Sequence, residues 1–467
     1  MRKLTVIACL CLASAGLFTH LSSAAFTTST AVPANGVTAD ALRNYFSVSP
    51  GGDVQPGTSS AVAGGNVDGL SIDLGTVPSA RTFSSVFRIT NVSGASRTAT
   101  LSLSSVPQVA AAVFASSGST SVTLAAGAST TLSVTTSTTV AGRGSGSLRL
   151  GLAGLSWLYR DYSFHVDEAP EAPGAPTGTQ KPAGRIDLSW PASSTTTNLA
   201  GYDVYRSGGG AFTKLTASPQ AALTYSDTAT VDGAAYTYKI HAVSSGTPVL
   251  DSVDSTTVNV TADATAPGQA TSITLANGGG ASSAYINAAN ASSINLNVAL
   301  PAGALTSDVV QLTLPGGGTQ THAGSAGAGT VTFNGLNLSG RSDGGLTFTV
   351  ISTDLAGNVS VARNVTITKD TIAPAAPTAN YTDNNNNTAD VISGTAEANA
   401  SIALAKTAPP PTANYSATAN GSGAYSATVA AVNGKPNPPT SVTYAVTATD
   451  AAGNTSAVTN VTANDTR

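Results

Sequence analysis

Hydrophobic side chains recur at every second position in short segments along almost the whole sequence. Typical segments read ATLSLSSV, TTLSVTT, SLRLGLAGL and YTYKIHAV, and stretches rich in Gly, Asn or Pro separate them. Successive side chains of a β-strand point to opposite faces, so each segment predicts a strand with one buried and one solvated face. A helix would need apolar residues at a period of about 3.6, and almost no stretch shows this. The pattern therefore predicts an all-β protein.

The composition indicates that most of the chain folds, and that it folds as several domains. Hydrophobic residues make up 41% of the sequence and charged residues 9%, which is the reverse of the balance in disordered chains. A chain of 467 residues exceeds one ordinary core and suits about three or four domains. The 47 glycines and 23 prolines favour many short strands joined by turns.

The first 24 residues have the features of a signal peptide. Arg2 and Lys3 form a basic start, an apolar stretch runs from Leu4 to Phe18, and small residues precede Ala25. The apolar stretch is short for a membrane span. A lipoprotein acylated at Cys9 is the alternative, although little apolar sequence precedes that cysteine. We therefore expect export of the chain and removal of residues 1–24.

Removal of this segment would leave a chain without sulfur, because the one Met and both Cys lie within it. Such a chain forms neither disulfides nor a thiolate metal site. The formal net charge is −4 and Lys and Arg are not clustered, so nucleic acid and anionic membrane surfaces are poor partners. No transmembrane segment is expected after processing. We expect a secreted, extracellular protein that associates with a cell surface only through another molecule.

Three proline-containing linkers divide the sequence. They read DEAPEAPGAPT from Asp167, DATAPGQAT from Asp263 and DTIAPAAPT from Asp370. Proline fixes φ and lacks an N–H, so these segments resist joining a sheet and act as short stiff spacers. The linkers are on the order of 100 residues apart, which is the size of a sandwich domain. We name the segments the first module (25–168), the second module (173–262), the third module (268–369) and the fourth module (375–467).

The third and fourth modules repeat one another. FTVISTDLAGNVSVARNVTI begins at Phe348, and YAVTATDAAGNTSAVTNVTA begins at Tyr444. In both segments an alternating strand leads into Asp-x-Ala-Gly-Asn and a second strand follows. Gly and Asn tolerate the left-handed backbone that such turns need. Duplication at this spacing indicates tandem modules.

Aromatic residues mark the strands of the second module. IDLSWPAS contains Trp190, LAGYDVYRS contains Tyr202 and Tyr205, and DGAAYTYKIHAVSSG contains Tyr236. These motifs cover nearly the whole module, which resembles a fibronectin type III domain. The resemblance implies that Trp190 fills the centre of a sandwich and that Tyr236 makes a corner hydrogen bond.

The fourth module carries ISGTAEANASIAL, GSGAYSATV and TYAVTATDAAGNTSA in that order. It resembles a bacterial Ig-like domain of large surface adhesins, and the third module shares the second half of the pattern. The first module contains AAFTTST and SIDLGTVPSARTFSSVFRITNVSG. It loosely resembles camelysin and matrix-fibre-like exported proteins, and an unrelated β-sandwich is the alternative. The expected fold is all-β, with four tandem β-sandwich (Ig-like or fibronectin III-like) domains in an elongated chain.

One segment of the first module places catalytic residue types at alternate positions. RDYSFHVDE contains Asp161, Ser163, His165 and Asp167, and between them Tyr162, Phe164 and Val166. A Ser–His pair needs hydrogen-bond contact, whereas alternate side chains of one strand stand about 6.5 Å apart. We interpret the segment as a strand with one wet face and one buried face.

Other candidate site residues also favour a structural interpretation. His241 alternates with apolar neighbours, so it should face solvent. Trp157 and Trp190 lie in alternating strand segments, where burial is more common than sugar stacking. We therefore predict no catalytic residues and no enzyme activity.

Calcium is the one cofactor that the sequence suggests. Hard cations take several oxygen ligands, and acidic residues recur in the linkers, in the repeated turns and in the polar tract DNNNNTAD, which should be a loop. The adhesin resemblance implies that such acids hold Ca²⁺ between neighbouring modules. Ordinary turn chemistry is the alternative, because Asp and Asn favour turns. The candidate ligands are Asp263, Asp354, Asp370, Asp383, Asp390 and Asp450.

Two function hypotheses remain. The first is a non-catalytic modular protein for adhesion or for extracellular matrix and biofilm interaction, whose modules are spacers and whose loops or strand edges bind. Strand edges would also allow self-association. The second is a carbohydrate-binding or accessory protein of secreted polysaccharide degradation. The partner would be an unidentified extracellular protein or polysaccharide.

Overall fold

The computed structural model describes residues 25–28, 42–51, 70–384, 388–408, 412–431 and 441–464. These residues form β-strands joined by turns, with a 3₁₀ turn at Pro182–Gly184, so the all-β prediction is confirmed. The predicted signal peptide lies outside the described residues. The chain divides into two compact units: unit 1 comprises residues 1–180 and 184–263, and unit 2 comprises residues 181–183 and 264–467.

The first module of unit 1 contains two sheets. Its strands are β1 (Ala25–Thr28), β2 (Phe46–Pro50), β3 (Leu70–Val77), β4 (Thr82–Phe83), β5 (Phe87–Asn91), β6 (Arg97–Leu103), β7 (Val109–Phe114), β8 (Ser121–Leu124), β9 (Ser129–Thr136), β10 (Gly142–Leu152) and β11 (Leu155–Glu168). One sheet has the order β1-β3-β11-β10-β6-β8, and the other has β2-β5-β9-β4 with β7 paired to β9. β11 runs parallel to β3 and antiparallel to β10.

Alternation along β11 builds the core between these sheets. Tyr162, Phe164 and Val166 are buried there together with Phe87 of β5 and Leu132 of β9. Full burial of one such side chain contributes about 1.5–3 kcal/mol. Because the apolar residues occupy every second position, the outer face of the sheet carries Asp161, Ser163, His165 and Asp167.

The second module has seven strands in two sheets. They are β12 (Thr177–Gln180), β13 (Ile186–Ser189), β14 (Leu199–Ser207), β15 (Thr213–Lys214), β16 (Thr224–Asp227), β17 (Ala235–Ser244) and β18 (Val258–Thr261). The sheets have the orders β12-β13-β16 and β15-β14-β17-β18. Trp190 lies in the core with its ring centroid 6.0 Å from that of Tyr202. The Tyr236 hydroxyl accepts a hydrogen bond from the Val231 N–H at 2.9 Å, as the fibronectin resemblance implies.

Unit 2 contains the third and fourth modules. The strands of the third are β19 (Ser272–Leu275), β20 (Ile294–Leu300), β21 (Val309–Thr313), β22 (Thr319–Ala323), β23 (Gly329–Leu336), β24 (Gly344–Thr353) and β25 (Arg363–Lys369). The strands of the fourth are β26 (Asn380–Thr382), β27 (Asp390–Thr395), β28 (Ser401–Ala408), β29 (Asn414–Thr418), β30 (Ala424–Val429), β31 (Ser441–Thr449) and β32 (Thr459–Asn464). Each module encloses its own hydrophobic cluster.

The second, third and fourth modules share one topology. The third has sheets β19-β20-β23 and β22-β21-β24-β25, and the fourth has β26-β27-β30 and β29-β28-β31-β32. In each module, strands one, two and five form one sheet and strands four, three, six and seven form the other. The fibronectin-like and Ig-like sequence motifs therefore specify the same strand order.

Two predicted irregular segments differ from the structure. The first linker was expected to begin at Asp167, but β11 continues to Glu168 because Arg143 and Gly142 of β10 pair with these two residues. The polar loop was expected to end at Asp390, which is instead the first residue of β27 and pairs with Val429. Residues 385–387 of that loop lie outside the described residues.

Candidate junction sites and the polar face of the first module

The repeated Asp-x-Ala-Gly-Asn segment forms the same closed turn in both modules of unit 2. In the fourth module, Asp450 Oδ1 accepts from the Asn454 N–H at 2.8 Å and Asp450 Oδ2 from Asn454 Nδ2 at 2.9 Å. In the third module, Asp354 and Asn358 make the same two bonds at 2.8 and 2.9 Å. Gly453 has φ 90°, which explains the glycine because this region is strained for other residues.

Asn454 extends from its own turn to residues outside the fourth module. Its Nδ2 also donates to the Asp370 carbonyl oxygen at 2.9 Å, and its Oδ1 accepts from the Ala288 N–H at 3.0 Å. Ala288 belongs to the third module, and Asp370 begins the linker between the modules. The Asn454 side chain is buried. These bonds assign the orientation of the Asn454 amide. The Ala288 N–H requires an acceptor, and the Asp370 carbonyl oxygen and Asp450 Oδ2 require a donor.

Asn287 makes the reciprocal contact from the third module. Its Nδ2 donates to the Ala452 carbonyl oxygen of the fourth-module turn at 2.9 Å, while its Oδ1 accepts from the Ala289 N–H at 3.1 Å. Gly280 makes the close approach possible, because a Cβ on it would lie 2.1 Å from the Ala451 carbonyl oxygen. We call Gly280, Asn287, Ala288, Asp370 and Asn454 the junction clamp.

The start of the linker is fixed to the third module by an ion pair. Lys369 Nζ lies 2.9 Å from Asp343 Oδ1 and donates to the Arg341 carbonyl oxygen at 2.6 Å. Asp343 Oδ2 accepts from the Thr371 N–H at 2.9 Å. The hydrogen bond from Thr371, followed by that from Lys369, lowers the pKa of Asp343. The linker residues on both sides of Asp370 are therefore held in place.

The predicted calcium ligands are mostly separate from one another. Asp354 and Asp450 close their own turns, and Asp370 Oδ1 accepts from the Ile372 N–H at 3.1 Å. Asp390 Oδ2 accepts from the Tyr381 hydroxyl at 2.7 Å, and Asp383 directly follows β26. The Asp263 carbonyl oxygen accepts from the Gly184 N–H at 3.1 Å.

The structure brings Asp370 and Asp450 together through the Asn454 amide. Asp263 and Asp354 lie elsewhere, and Asp383 and Asp390 lie at the two ends of the segment that connects β26 to β27. Within the part of the chain that the structure describes, no three His, Cys, Asp or Glu side chains group as metal ligands. Calcium binding stays a prediction.

The outer face of β11 carries paired charges rather than a nucleophile. The His165 nitrogens face carboxylates on both sides, with Nδ1 2.9 Å from Asp73 Oδ1 and Nε2 3.4 Å from Asp167 Oδ1. Neither nitrogen is directed to Ser163. The buried face is as predicted and Asp161 and Ser163 of the opposite face are exposed, whereas Asp167 on that face is buried beside Arg143. Two arginines of β10 complete the face through the pairs Arg143–Asp167 (2.9 Å) and Arg149–Asp161 (2.8 Å).

His241 differs in part from its prediction. It lies on the outward face of β17, but only 14% of its side chain is exposed. The Tyr205 ring covers it at a centroid distance of 4.6 Å, and Asp254 pairs with its Nε2. Trp190 is buried as predicted, and the side chain of Trp157 lies outside the described structure. The alternation predicted the correct face for His241. It could not predict that Tyr205 on the neighbouring strand covers the imidazole ring.

Sequence reasoning missed a buried carboxyl at the end of β11. Glu168 is 0% exposed, and it continues the inward series of Tyr162, Phe164 and Val166. Neither carboxyl oxygen has a hydrogen-bond partner among the described residues. Burial raises the pKa of Glu168 to about 8, and the negative charge of Glu171 adds to the rise. The alternation Val166-x-Glu168 was the available signal, but the proline-rich composition placed Glu168 in a linker.

A second junction lies within unit 1. The Thr139 carbonyl oxygen accepts from the Thr196 and Thr197 N–H groups at 3.0 Å, and the Ala141 N–H donates to the Thr197 carbonyl oxygen at 3.2 Å. Asn198 Nδ2 donates to the Ala141 carbonyl oxygen at 2.9 Å. Backbone of the first module thus pairs with backbone of the second.

Together these features define a modular protein of tandem β-sandwiches joined by hydrogen-bonded junctions within each unit. No helix among the described residues is both long and apolar enough to cross a membrane. No family model matches the chain.

Segments of the chain are similar in sequence to an amylopullulanase and to a chitinase. A segment of 115 residues is 30% identical to an amylopullulanase of Thermoanaerobacterium saccharolyticum and covers 24% of this chain and 9% of that protein. A segment of 206 residues is 32% identical to chitinase A1 of Niallia circulans and covers 43% of this chain and 26% of that protein. The chain therefore spans at most 26% of the length of these two relatives.

Similar solved structures include the FN1–FN3 domains of chicken CNTN1, with a TM-score of 0.25, 12% identity and coverage of 64% of this chain and 99% of that chain. A tetra-tandem repeat in the extending region of a large adhesion protein has a TM-score of 0.24, 19% identity and coverage of 81% and 94%. A bacterial ice-binding adhesin has a TM-score of 0.26, 18% identity and coverage of 64% and 98%. Fibronectin type III domains and adhesin repeats are the families that the sequence resembles.

Proposed function

We propose that the chain is a non-catalytic extracellular spacer that takes part in adhesion or matrix contacts. The observation that carries this proposal is the junction clamp, through which the third and fourth modules are hydrogen-bonded side chain to backbone. Domains in one chain move relative to each other unless their interface is extensive. Here Asn454 and Asn287 are buried and bonded across the interface, so this junction resists bending.

The hydrogen bonds of the junction clamp also indicate whether a bound cation stiffens this junction. Asn454 Nδ2 bonds to both the Asp370 carbonyl oxygen and Asp450 Oδ2, each at 2.9 Å. A calcium ion that bridged these oxygens would need the position of the amide nitrogen, because Ca²⁺–oxygen distances are about 2.3–2.6 Å. We propose that the amide takes the place of a cation at this junction. The calcium proposal then concerns the remaining acids, above all Asp383 and Asp390.

Stiffness is measured on the processed full chain. It is predicted to contain no cysteine, so cysteines introduced at the exposed Thr321 and Thr418 accept two spin labels selectively. We expect a narrow distance distribution that broadens in Asn454→Ala. Asn364→Ala, which changes an exposed asparagine of β25 away from the clamp, serves as the control. A distribution as broad in the unaltered chain as in Asn454→Ala would contradict a stiff spacer.

The adhesion role needs a test in the producing cell. We expect that deletion of the gene reduces attachment between cells or to surfaces and that purified full chain restores it. Asn454→Ala should restore less than Asn364→Ala does, because a flexible spacer presents its binding surface less far from the cell. Unchanged attachment after deletion would overturn the adhesion proposal.

A second candidate function is that of an accessory protein in polysaccharide degradation. The similarity of segments of this chain to an amylopullulanase and to chitinase A1 favours it, because non-catalytic modules accompany catalytic ones in such enzymes. Sedimentation with insoluble starch and with chitin tests it. Retention on either polysaccharide, without loss of cell attachment in the deletion strain, would favour this role over adhesion.

A further inference from the structure

A small open pocket lies on the outer face of the first module, at the opposite end of β10 from the junction at Ala141. In the register of the sheet, Gly151 of β10 lies between Tyr159 of β11 and Thr100 of β6. Because Gly151 has no side chain, there is a gap between the side chains of Tyr159 and Thr100. A Cβ on Gly151 would lie 2.9 Å from Thr100 Oγ1. The gap forms a pocket of about 130 Å³.

One wall of the pocket is an aromatic ring and an arginine held in a fixed position. Arg149 Cζ lies 3.6 Å from the centroid of the Tyr159 ring. Arg149 Nε and Nη2 donate to the two Asp161 carboxylate oxygens, both at 2.8 Å. Asp161 therefore neutralises the arginine charge, while the other guanidinium N–H groups stay available as donors. A neutral ligand suits this wall better than an anion.

Three serine and threonine hydroxyls line the pocket. They belong to Thr100, Ser102 and Ser156, and none of the three hydroxyls bonds to another described residue. By contrast, Thr98 and Thr123 on the neighbouring strands bond to each other at 2.8 Å. The side chains of Leu101 and Leu158 belong to the core on the other face of the sheet, so strand backbone forms the base of the pocket.

These features point to one chemical class of ligand. A pocket with an aromatic wall and several hydroxyl groups beside a guanidinium fits a ligand with a C–H face and many hydroxyls. A cavity of about 150 Å³ accommodates one benzene ring, so an open pocket of about 130 Å³ takes one edge or face of a single sugar ring and leaves the rest of that ring in solvent. We propose that it is a binding subsite for one hexopyranose unit of a neutral polysaccharide. The proposal goes beyond the spacer role and does not depend on the junction clamp.

The test measures binding of maltotriose, cellotriose and chitotriose to the full chain by calorimetry and by ligand-observed NMR. We expect at least one of them to bind with a millimolar dissociation constant, because a single ring offers few contacts. Gly151→Val fills the gap and Tyr159→Ala removes the wall, so each should weaken binding at least tenfold.

Ser163→Ala, on the same face of β11, is the matched control and should bind like the unaltered chain. Thermal melts of all three variants show whether the first module is still folded. Absence of binding for all three trisaccharides would overturn the proposal. So would unchanged binding in a folded Gly151→Val chain, or stronger binding of inorganic phosphate than of any neutral sugar.

Discussion

Asn454 Oδ1 accepts a hydrogen bond from the Ala288 N–H at 3.0 Å across 166 positions of sequence. The same side chain closes the Asp450 turn, so one asparagine of the repeated motif serves both the fold of its module and the connection to the preceding one. The motif therefore forms a tight turn and also the surface through which the fourth module contacts the third.

Asn454→Ala should destabilise unit 2 by about 1–3 kcal/mol, because the Ala288 N–H would lose its acceptor in a buried site. Chemical denaturation followed by far-ultraviolet circular dichroism measures the change in the free energy of unfolding. Tryptophan fluorescence is unsuitable, because unit 2 contains no tryptophan. Asn364→Ala should change the free energy of unfolding by less than about 0.5 kcal/mol. Equal effects of the two substitutions would show that the clamp contributes nothing specific.

Asn454→Asp should make the junction sensitive to calcium. The substitution removes the Nδ2 donor and places a second carboxylate beside Asp450 and the Asp370 carbonyl oxygen, so like charges repel until a cation binds. We expect a lower melting temperature in chelator and recovery when Ca²⁺ is added. The unaltered chain should show no such recovery at this junction. An equal calcium response in both chains would mean that the amide does not replace a cation.

Gly280→Ala should open the junction without changing any hydrogen-bonding group. Its Cβ would lie 2.1 Å from the Ala451 carbonyl oxygen, and Gly280 has φ +74°, so both sterics and backbone strain oppose the substitution. The spin-label distance distribution should broaden as it does in Asn454→Ala. Gly340→Ala is the matched control, since its Cβ would meet nothing within 4 Å, and it should leave the distribution narrow.

Local patterns predicted local structure well and distant pairing poorly. Alternation placed Tyr162 and Phe164 in the core, and the duplicated motif predicted the turn that Asn454 closes. The partners of Asn454 could not be predicted, because Ala288 and Asp370 are brought to it by the packing of two modules rather than by any spacing in the sequence. Glu168 was misplaced for a different reason, since proline-rich composition was given more weight than the alternation that extends through it.

Tyr236→Phe should cost the second module about 0.5–1.5 kcal/mol, the usual contribution of one hydrogen bond. The hydroxyl accepts from the Val231 N–H at 2.9 Å, and phenylalanine keeps the ring in the core. Thermal denaturation of the full chain measures the loss, with Tyr225→Phe on β16 as the control for removal of a tyrosine hydroxyl. A larger loss of stability in Tyr225→Phe than in Tyr236→Phe would show that the corner hydrogen bond is not a specific stabilising feature.

Glu168→Gln should remove a pH-dependent cost from the first module. Burial raises the pKa of Glu168 to about 8, above the usual value of about 4.3 for a glutamate in an unfolded chain. Between these values the folded state keeps a proton that the unfolded chain releases, so stability falls as pH rises from about 4.5 to 8. At 1.36 kcal/mol per pKa unit, the cost above pH 8 is on the order of 5 kcal/mol. Melting temperatures from pH 5 to pH 9 should therefore fall less steeply in Glu168→Gln than in the exposed control Glu397→Gln, and parallel curves would show that Glu168 ionises freely in the folded chain.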